Sequence, residues 1–238
     1  MNEILQKIKQ RGHWHVRFTG ADEYKERFAS PVGCDDFIRN QIVSLRGWNY
    51  PHYPREDATF GPNYCQGTVD WQGHIQLWRL YQSGQYVDYL ALREDWIAED
   101  TWFARDSRYA GMEPGTLLFI IGTVYTLTEV FEFLRRLTTQ GLTPQGLYGN
   151  AVTVNIELVG TEGRRLYVDE FRRAPLLRDY VAQVPAFSWE KTYSREDVRD
   201  KAADLALEVV QKVFLHFQWG RQPVASFKQD QQELLKGL

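Results

Sequence analysis

The sequence has few cysteines and no excess of basic residues, and these shortages exclude several classes of protein. Cys34 and Cys65 are the only two cysteines among 238 residues, and no CxxC or zinc-type spacing is present. Two thiols cannot build a disulfide framework, so they indicate a chain that folds in a reducing compartment. The formal net charge of −3 excludes a generally basic protein. Any contact with nucleic acid would therefore need a local patch.

Long apolar runs and the common nucleotide motifs are missing as well. The longest apolar run, Leu117 to Ile121, is far too short to cross a bilayer, and residues 1–12 lack a signal-peptide core. We therefore expect a cytoplasmic protein that does not contact a membrane. The absence of GxxxxGKS/T, GxGxxG, HExxH and GxSxG disfavours an ordinary ATPase, dehydrogenase, zincin or α/β-hydrolase.

Hydrophobic periodicity predicts an α+β fold, in which an antiparallel or mixed sheet of β-meanders is covered by amphipathic helices. Helices are predicted over residues 2–11, 34–46, 122–140, 195–217 and 226–236. Strands are predicted over residues 13–18, 64–71, 74–82, 85–92, 151–159, 164–169 and 187–193. Gly47 is expected to follow the second helix in the left-handed conformation.

The length suits one domain over residues 1–238, with two merged halves (about 1–115 and 116–238) as the alternative. A helix precedes up to three strands in each half, so a duplicated αβββ unit is a further hypothesis. The last long helix is the best-defined element, since Ser194 is a good N-cap. We expect Leu205 and Val209 in its buried stripe.

Aromatic residues are concentrated between Trp48 and Trp102, where five of the eight tryptophans lie. Both faces of the predicted 74–82 and 85–92 strands are partly apolar, because side chains alternate along a strand. This pattern indicates either cover on both sides of the sheet or an exposed patch used for binding.

The loop before this meander contains prolines that restrict the chain, and it offers aromatic and imidazole side chains for recognition. We expect Tyr50 and Tyr53 to be its more exposed pair, with Trp48 as an anchor to the core. Internal packing of the meander is the alternative interpretation. The candidates for binding a ligand or partner are Trp48, Tyr50, His52, Tyr53, His74, Trp78, Arg79 and Tyr81.

Histidines on one strand give a weak signal for metal. His13 and His15 point to the same side of a strand, and a metal site would need further ligands. The candidates for these ligands are His52, His74, Asp70 and Asp88. Two imidazoles alone hold a metal poorly, so we predict no metal and no cofactor.

Charged pairs give two more hypotheses, and no catalytic residue is identified. Glu94-Asp95 lies close to Trp96, and a general acid with a raised pKa would arise if one carboxyl were buried against the rings. A solvated acidic loop is the alternative. The candidates for binding phosphate are arginines in the second half of the chain, with salt bridges to neighbouring acids as the alternative. They are Arg164, Arg165, Arg172 and Arg173.

Four stretches resemble an uncharacterised family of bacterial proteins. They are RGWNYPH at residues 46–52, HIQLWRLYQSGQY at 74–86, REDW at 93–96 and RLYVD at 165–169. In that family the region can occur beside a Schlafen-type AlbA-like domain, a module that binds nucleotides or nucleic acids. The likeness covers most of residues 35–217, and these 238 residues do not contain the AlbA-like part. The resemblance implies a role in bacterial defence or regulation.

The sequence favours a non-enzymatic binding or accessory subunit of a bacterial intracellular system, with antiviral defence as the implied setting. It would act through an aromatic surface, with another protein subunit as the expected partner and nucleic acid as the second. The alternatives are an enzyme acting on nucleic acid or nucleotides, and a structural assembly partner. A cleft that joins His52, His74 and an acidic side chain would favour the enzyme. A flat aromatic patch would favour binding or assembly.

Overall fold

The computed structural model describes residues 2–22, 25–54, 58–71, 73–99, 112–140, 146–169 and 176–236. Its helices are α1 (Glu3–Lys9), α2 (Pro31–Arg39), α3 (Ile120–Thr139), α4 (Arg195–His216) and α5 (Val224–Leu235). None of the helices in these ranges is long and apolar enough to cross a membrane.

The strands of the described residues are numbered in chain order. They are β1 (His13–Gly20), β2 (Val43–Ser44), β3 (Asn49–Tyr50), β4 (Thr59–Phe60), β5 (Tyr64–Trp71), β6 (His74–Tyr81), β7 (Tyr86–Ala91), β8 (Leu117–Phe119), β9 (Ala151–Val159), β10 (Arg165–Tyr167) and β11 (Ala186–Ser194). The α+β prediction is confirmed, since helices pack on an antiparallel sheet.

Within the described residues, the main sheet has seven antiparallel strands in the order β11-β9-β1-β7-β6-β5-β4. Strand β1 pairs with both β7 and β9, so strands from both halves of the chain belong to one sheet. Strand β10 pairs in parallel with β8 outside this sheet. The strands of the described residues therefore do not repeat an αβββ unit, because β5, β6 and β7 are adjacent whereas β10, which follows β9 in the chain, pairs outside the sheet.

The two faces of the sheet are covered differently. One face packs against α3 and α4, and strand β9 shows the expected alternation, with Val152, Val154, Ile156 and Leu158 all buried. On the other face, α1 covers β6 and β7, and Ile8 packs there with Ile75, Leu77, Ala91 and Trp96. The apolar character of both faces of the meander is thus explained by cover on both sides.

The second helix lies earlier in the chain than the periodicity predicts. It begins at Pro31, because the Ser30 side chain accepts a hydrogen bond from the Gly33 N–H at 3.2 Å and proline is favoured in the first turn. It ends at Arg39, and the predicted continuation to residue 46 is wrong. Instead β2 and β3 form a short hairpin, and Gly47, with φ +87°, lies in its loop.

Helix α4 offers a matched test of core packing, because two of its leucines differ in burial. The expected burial of Leu205 and Val209 is confirmed, at 9% and 0% exposure, whereas Leu215 is 53% exposed. We expect Leu205→Ala to lower the free energy of unfolding by about 2 kcal/mol, and Leu215→Ala by less than about 0.5 kcal/mol. Urea denaturation of both variants measures this difference. Equal losses would contradict the placement of the helix.

Candidate functional site

A cavity of about 160 Å³ lies between the segment 46–52, the strands β6 and β7, and the first half of α3. We call it the α3 cavity, and we call residues 46–52 the rim segment. The polar residues that line the α3 cavity include Arg46, Tyr50, His52, His74, Gln76, Arg93, Glu94, Thr123, Thr126, Glu129 and Asp169. Apolar lining comes from Trp14, Trp48, Val69, Leu90, Leu92, Ile97 and Phe119. A concave site in which polar groups converge between apolar walls is a common place for a small molecule to bind, and this one is richer in polar groups than most.

Helix α3 supplies one wall of the cavity through its residue spacing. Gly122, Thr126 and Glu129 recur at i, i+4 and i+7, so they lie along one face of the helix. Gly122 keeps this wall open, since a Cβ there would lie 3.2 Å from the Phe119 Cβ and 3.4 Å from an Asp169 oxygen. The small side chains of Gly122 and Thr126 leave room for a ligand beside this face.

A guanidinium group is fixed against that wall. Arg46 donates from Nε and Nη2 to the Glu129 carboxylate at 3.0 and 2.6 Å, and from Nη2 to the Thr126 hydroxyl at 3.1 Å. Glu129 is only 1% exposed, so the pair is a charge-assisted, bidentate contact between the rim segment and the α3 wall.

The guanidinium groups of Arg46 and Arg93 lie around the Trp48 ring at the mouth of the cavity. The guanidinium carbons of Arg46 and Arg93 each lie 5.2 Å from the centre of that ring, at distances suited to cation–π attraction. The His74 ring meets it edge-on with the ring centres 4.1 Å apart. These four side chains and His52 are all partly exposed, so they form the solvent-facing side of the site.

Two carboxyl groups lie at the junction between β8 and α3. Glu94 accepts a hydrogen bond from the Phe119 N–H at 3.1 Å, and Asp169 accepts from the N–H groups of Ile121 and Gly122 at 2.7 and 2.9 Å. Because these donors fall within residues 119–122, both carboxyl groups face the start of α3.

Burial changes the proton affinity of the titratable groups in the cavity. It raises the pKa of Glu94 to about 7 and that of Asp169 to about 6, although their backbone N–H partners act in the opposite direction. Burial, helped by the positive charges of Arg93 and Arg46, lowers the pKa of His74 to about 3. At neutral pH the site thus holds a neutral His74 imidazole and a Glu94 carboxyl whose pKa lies near that pH.

The structure brings together four of the eight aromatic and polar candidates predicted for binding. Trp48, Tyr50, His52 and His74 line the cavity. Of the others, Trp78 is fully buried and donates from Nε1 to the His52 carbonyl at 2.9 Å. Arg79 and Tyr81 lie on the face of β6 opposite to Trp78, and both contact Tyr64.

The expected exposure of Tyr50 is wrong, and Tyr53 is exposed only in part. Tyr50 is 3% exposed, and its hydroxyl donates to Asp88 at 2.8 Å. Tyr53 is partly buried and donates to Asp35, with the Arg39 guanidinium over its ring. Each of the two hydroxyl groups is held by a buried carboxylate, so Tyr50 and Tyr53 anchor the loop that precedes the meander.

The phosphate-binding candidates are not brought to the cavity. Arg164 is 1% exposed and forms a bidentate pair with Asp95, with further hydrogen bonds to the carbonyls of Gly160 and Leu117. It is committed to the interior rather than to a ligand. Arg165 is exposed and lies 3.6 Å from Asp179. Arg172 and Arg173 lie outside the described residues.

The histidine and aspartate candidates for metal are dispersed. His15 pairs with Glu157 at 3.0 Å, His13 faces the Arg11 carbonyl, and Asp70 pairs with Lys7. Among the described residues there is no group of three or more His, Cys, Asp or Glu side chains that could hold a metal ion.

Several residues of the cavity were not singled out from the sequence for this role, namely Arg46, Arg93, Gly122, Thr126, Glu129 and Asp169. The sequence did contain one signal for this wall of the cavity. Gly122, Thr126 and Glu129 interrupt the apolar pattern of α3 at intervals of three and four residues. Arg46, Arg93 and Asp169 stand within the stretches that carry the family resemblance. Comparison with protein-family models, curated proteins and solved structures finds no match for the chain.

Proposed function

We propose that the protein is an enzyme that acts on a small phosphorylated molecule of the nucleotide class, or on the phosphorylated end of a nucleic acid. The α3 cavity would be its active site. One observation carries the proposal: the cavity joins His52 and His74 with the carboxyl groups of Glu94 and Asp169 and the guanidinium of Arg93. A cleft that joins these histidines to an acid is the arrangement that favours an enzyme over a flat binding surface.

The cationic mouth supports a phosphate-bearing substrate. Guanidinium groups match the geometry of phosphate oxygens, and Arg93 lies beside Trp48, next to an Arg46 whose own charge is paired with Glu129. Because His74 is neutral, it adds a hydrogen-bonding nitrogen rather than a third charge. The volume of about 160 Å³ is close to the roughly 150 Å³ cavity that holds benzene in another protein. A phosphate and the atoms next to it would fit, with the rest of a nucleotide outside the mouth.

Glu94 supplies the acid–base chemistry in this proposal. A catalytic group works best when its pKa lies near the working pH, and burial holds the pKa of Glu94 at about 7. It can give a proton to a leaving oxygen or take one from an attacking water. The aromatic block lends less support to an accessory subunit, since Tyr50, Trp78, Tyr86 and Trp96 are buried.

Isothermal titration calorimetry with inorganic phosphate, adenosine 5′-monophosphate and adenosine tests the substrate class. The two phosphate compounds are expected to bind the wild-type protein and adenosine is not. Arg93→Met is expected to weaken phosphate binding at least tenfold, about 1.4 kcal/mol, because it removes a charge from the mouth while keeping the chain length. Turnover of the bound nucleotide, followed by phosphorus-31 NMR, is the second measurement.

Arg17→Met is the matched control, since Arg17 is an exposed arginine on β1 that donates to Asn155 at 3.1 Å and does not line the cavity. It is expected to bind phosphate as the wild type does. Equal weakening by both substitutions would show that the overall charge, and not the α3 cavity, attracts the anion. Failure of the wild type to bind either phosphate compound would overturn the proposal.

A further inference from the structure

A buried hydrogen-bond network below the α3 cavity sets the position of the rim segment. Asp88, on β7, is 1% exposed, and it accepts from the Tyr50 hydroxyl at 2.8 Å. Both of its oxygens also accept from Gln76 Nε2, at 3.0 and 2.9 Å. Gln76 Oε1 in turn accepts from the backbone N–H of His52 at 2.8 Å. Asp88 therefore reaches two points of the rim segment, one through a phenol and one through an amide.

The direction of each bond follows from the chemistry of a carboxylate. An ionised carboxylate only accepts hydrogen bonds, so it turns the NH₂ group of the Gln76 amide towards itself. The amide oxygen must then point the other way, where it meets the His52 N–H. Without Asp88, nothing in this chain of bonds would fix which end of the Gln76 amide faces the rim segment.

We propose that Asp88 is a positioning residue for the α3 cavity, whose carboxylate orients Gln76 and Tyr50 so that the rim segment holds Trp48 and His52 at the mouth. The inference rests on the proposed function, because it gives the network a role in ligand binding. Asp88 is not among the residues that line the cavity, so it would act on a ligand only through Gln76 and Tyr50.

The other titratable groups near Asp88 are compatible with this role. Tyr86, on the same strand, and Glu129, on α3, face Tyr50, and the pKa of Tyr50 is raised by burial and then by Asp88. The phenols of Tyr50 and Tyr86 thus stay protonated and can donate hydrogen bonds. Burial raises the pKa of Asp88 itself to about 7. Protonation of Asp88 turns one acceptor into a donor, so the rim segment is expected to loosen as the pH falls below about 7.

Asp88→Asn tests the proposal, since it keeps the shape and replaces one acceptor oxygen by a donor. The readouts are amide hydrogen exchange of residues 49, 50, 52 and 53 and the affinity for inorganic phosphate. We expect the His52 amide to exchange at least tenfold faster and phosphate to bind at least tenfold more weakly, while the amides of β9 stay protected. Asp70→Asn, on an exposed aspartate of β5 that pairs with Lys7, is the control and should change neither readout.

Gln76→Met is the second variant, which removes the link between Asp88 and His52 and leaves the carboxylate in place. Faster His52 exchange and weaker phosphate binding in this variant support the inference even if Asp88→Asn does not fold. Unchanged His52 exchange in the folded variants overturns it, as does faster exchange with unchanged phosphate affinity.

If the wild type binds no phosphate, the proposed function fails, and the ligand-binding role of Asp88 fails with it. The exchange data then show separately whether Asp88 holds the rim segment.

Discussion

Arg164→Met is expected to lower the free energy of unfolding by about 3–5 kcal/mol, because it leaves a buried charge without its partner. Arg164 and Asp95 are each 1% exposed, and Arg164 Nη1 lies 2.7 Å from Asp95 Oδ1 and 2.8 Å from the Leu117 carbonyl. The Asp95 carboxylate also accepts the N–H groups of Gly12 and Gly115 at 2.9 and 2.8 Å. Two backbone N–H groups cannot replace the guanidinium charge.

Denaturant unfolding at neutral pH measures this loss, and the neighbouring arginine provides the control. Arg165 has an exposed side chain 3.6 Å from Asp179, so Arg165→Met is expected to change the stability by less than about 1 kcal/mol. Adding Asp95→Leu to Arg164→Met is expected to recover part of the loss, since removing both charges avoids an unpaired carboxylate. A double variant less stable than Arg164→Met alone would contradict this explanation.

The strands of the meander could be predicted to within one residue, because local signals mark their ends. Gly73 and Gly84 stand where tight turns are predicted, and both adopt positive φ, at +75° and +83°. The 64–92 segment therefore folds as its alternation of side chains indicates, with strands β5, β6 and β7 in antiparallel register.

Helix α2 shows why periodicity alone can misplace an element. Phe37, Ile38 and Ile42 repeat at helical spacing, yet the helix ends at Arg39 and the chain continues into the β2–β3 hairpin. The Ser30-Pro31 start signal was present in the sequence, and it moves the first turn three residues earlier than the apolar pattern does. Pairing of Val43 with Tyr50 then competes with further helix.

The candidate site could be predicted only in pieces, since it depends on contacts between residues far apart in the chain. The burial of Glu94 and its raised pKa follow the hypothesis drawn from the Glu94-Asp95 pair and its aromatic neighbours. The contact of Arg46 with Glu129 joins residues 83 positions apart, and that of Asp169 with Ile121 joins residues 48 apart. No local pattern specifies such pairs, because they are set by how α3 packs across the sheet.

Glu94→Gln is expected to stabilise the protein by about 3 kcal/mol at about pH 8, and to leave the stability nearly unchanged at about pH 4. Burial raises the pKa of Glu94 in the folded protein from 4.5 to about 7, so the folded state disfavours the ionised carboxyl. The wild type therefore loses stability as the pH rises from about 4.5 to about 7, and the full cost remains above that range. Glutamine carries no such charge, and its Oε1 can still accept the Phe119 N–H.

Denaturant unfolding of both proteins across this pH range measures the difference, and Glu162→Gln, on an exposed glutamate, is the control that should show no pH-dependent gain. A gain for Glu94→Gln that is equal at both ends of the range would contradict the burial of a titrating carboxyl.

The same substitution is expected to reduce turnover of a bound phosphate compound by about 10²–10⁴-fold, since the proton donor is lost. A substitution that stabilises the fold while removing activity is the result that a functional carboxyl predicts, because such groups are retained despite their cost to stability.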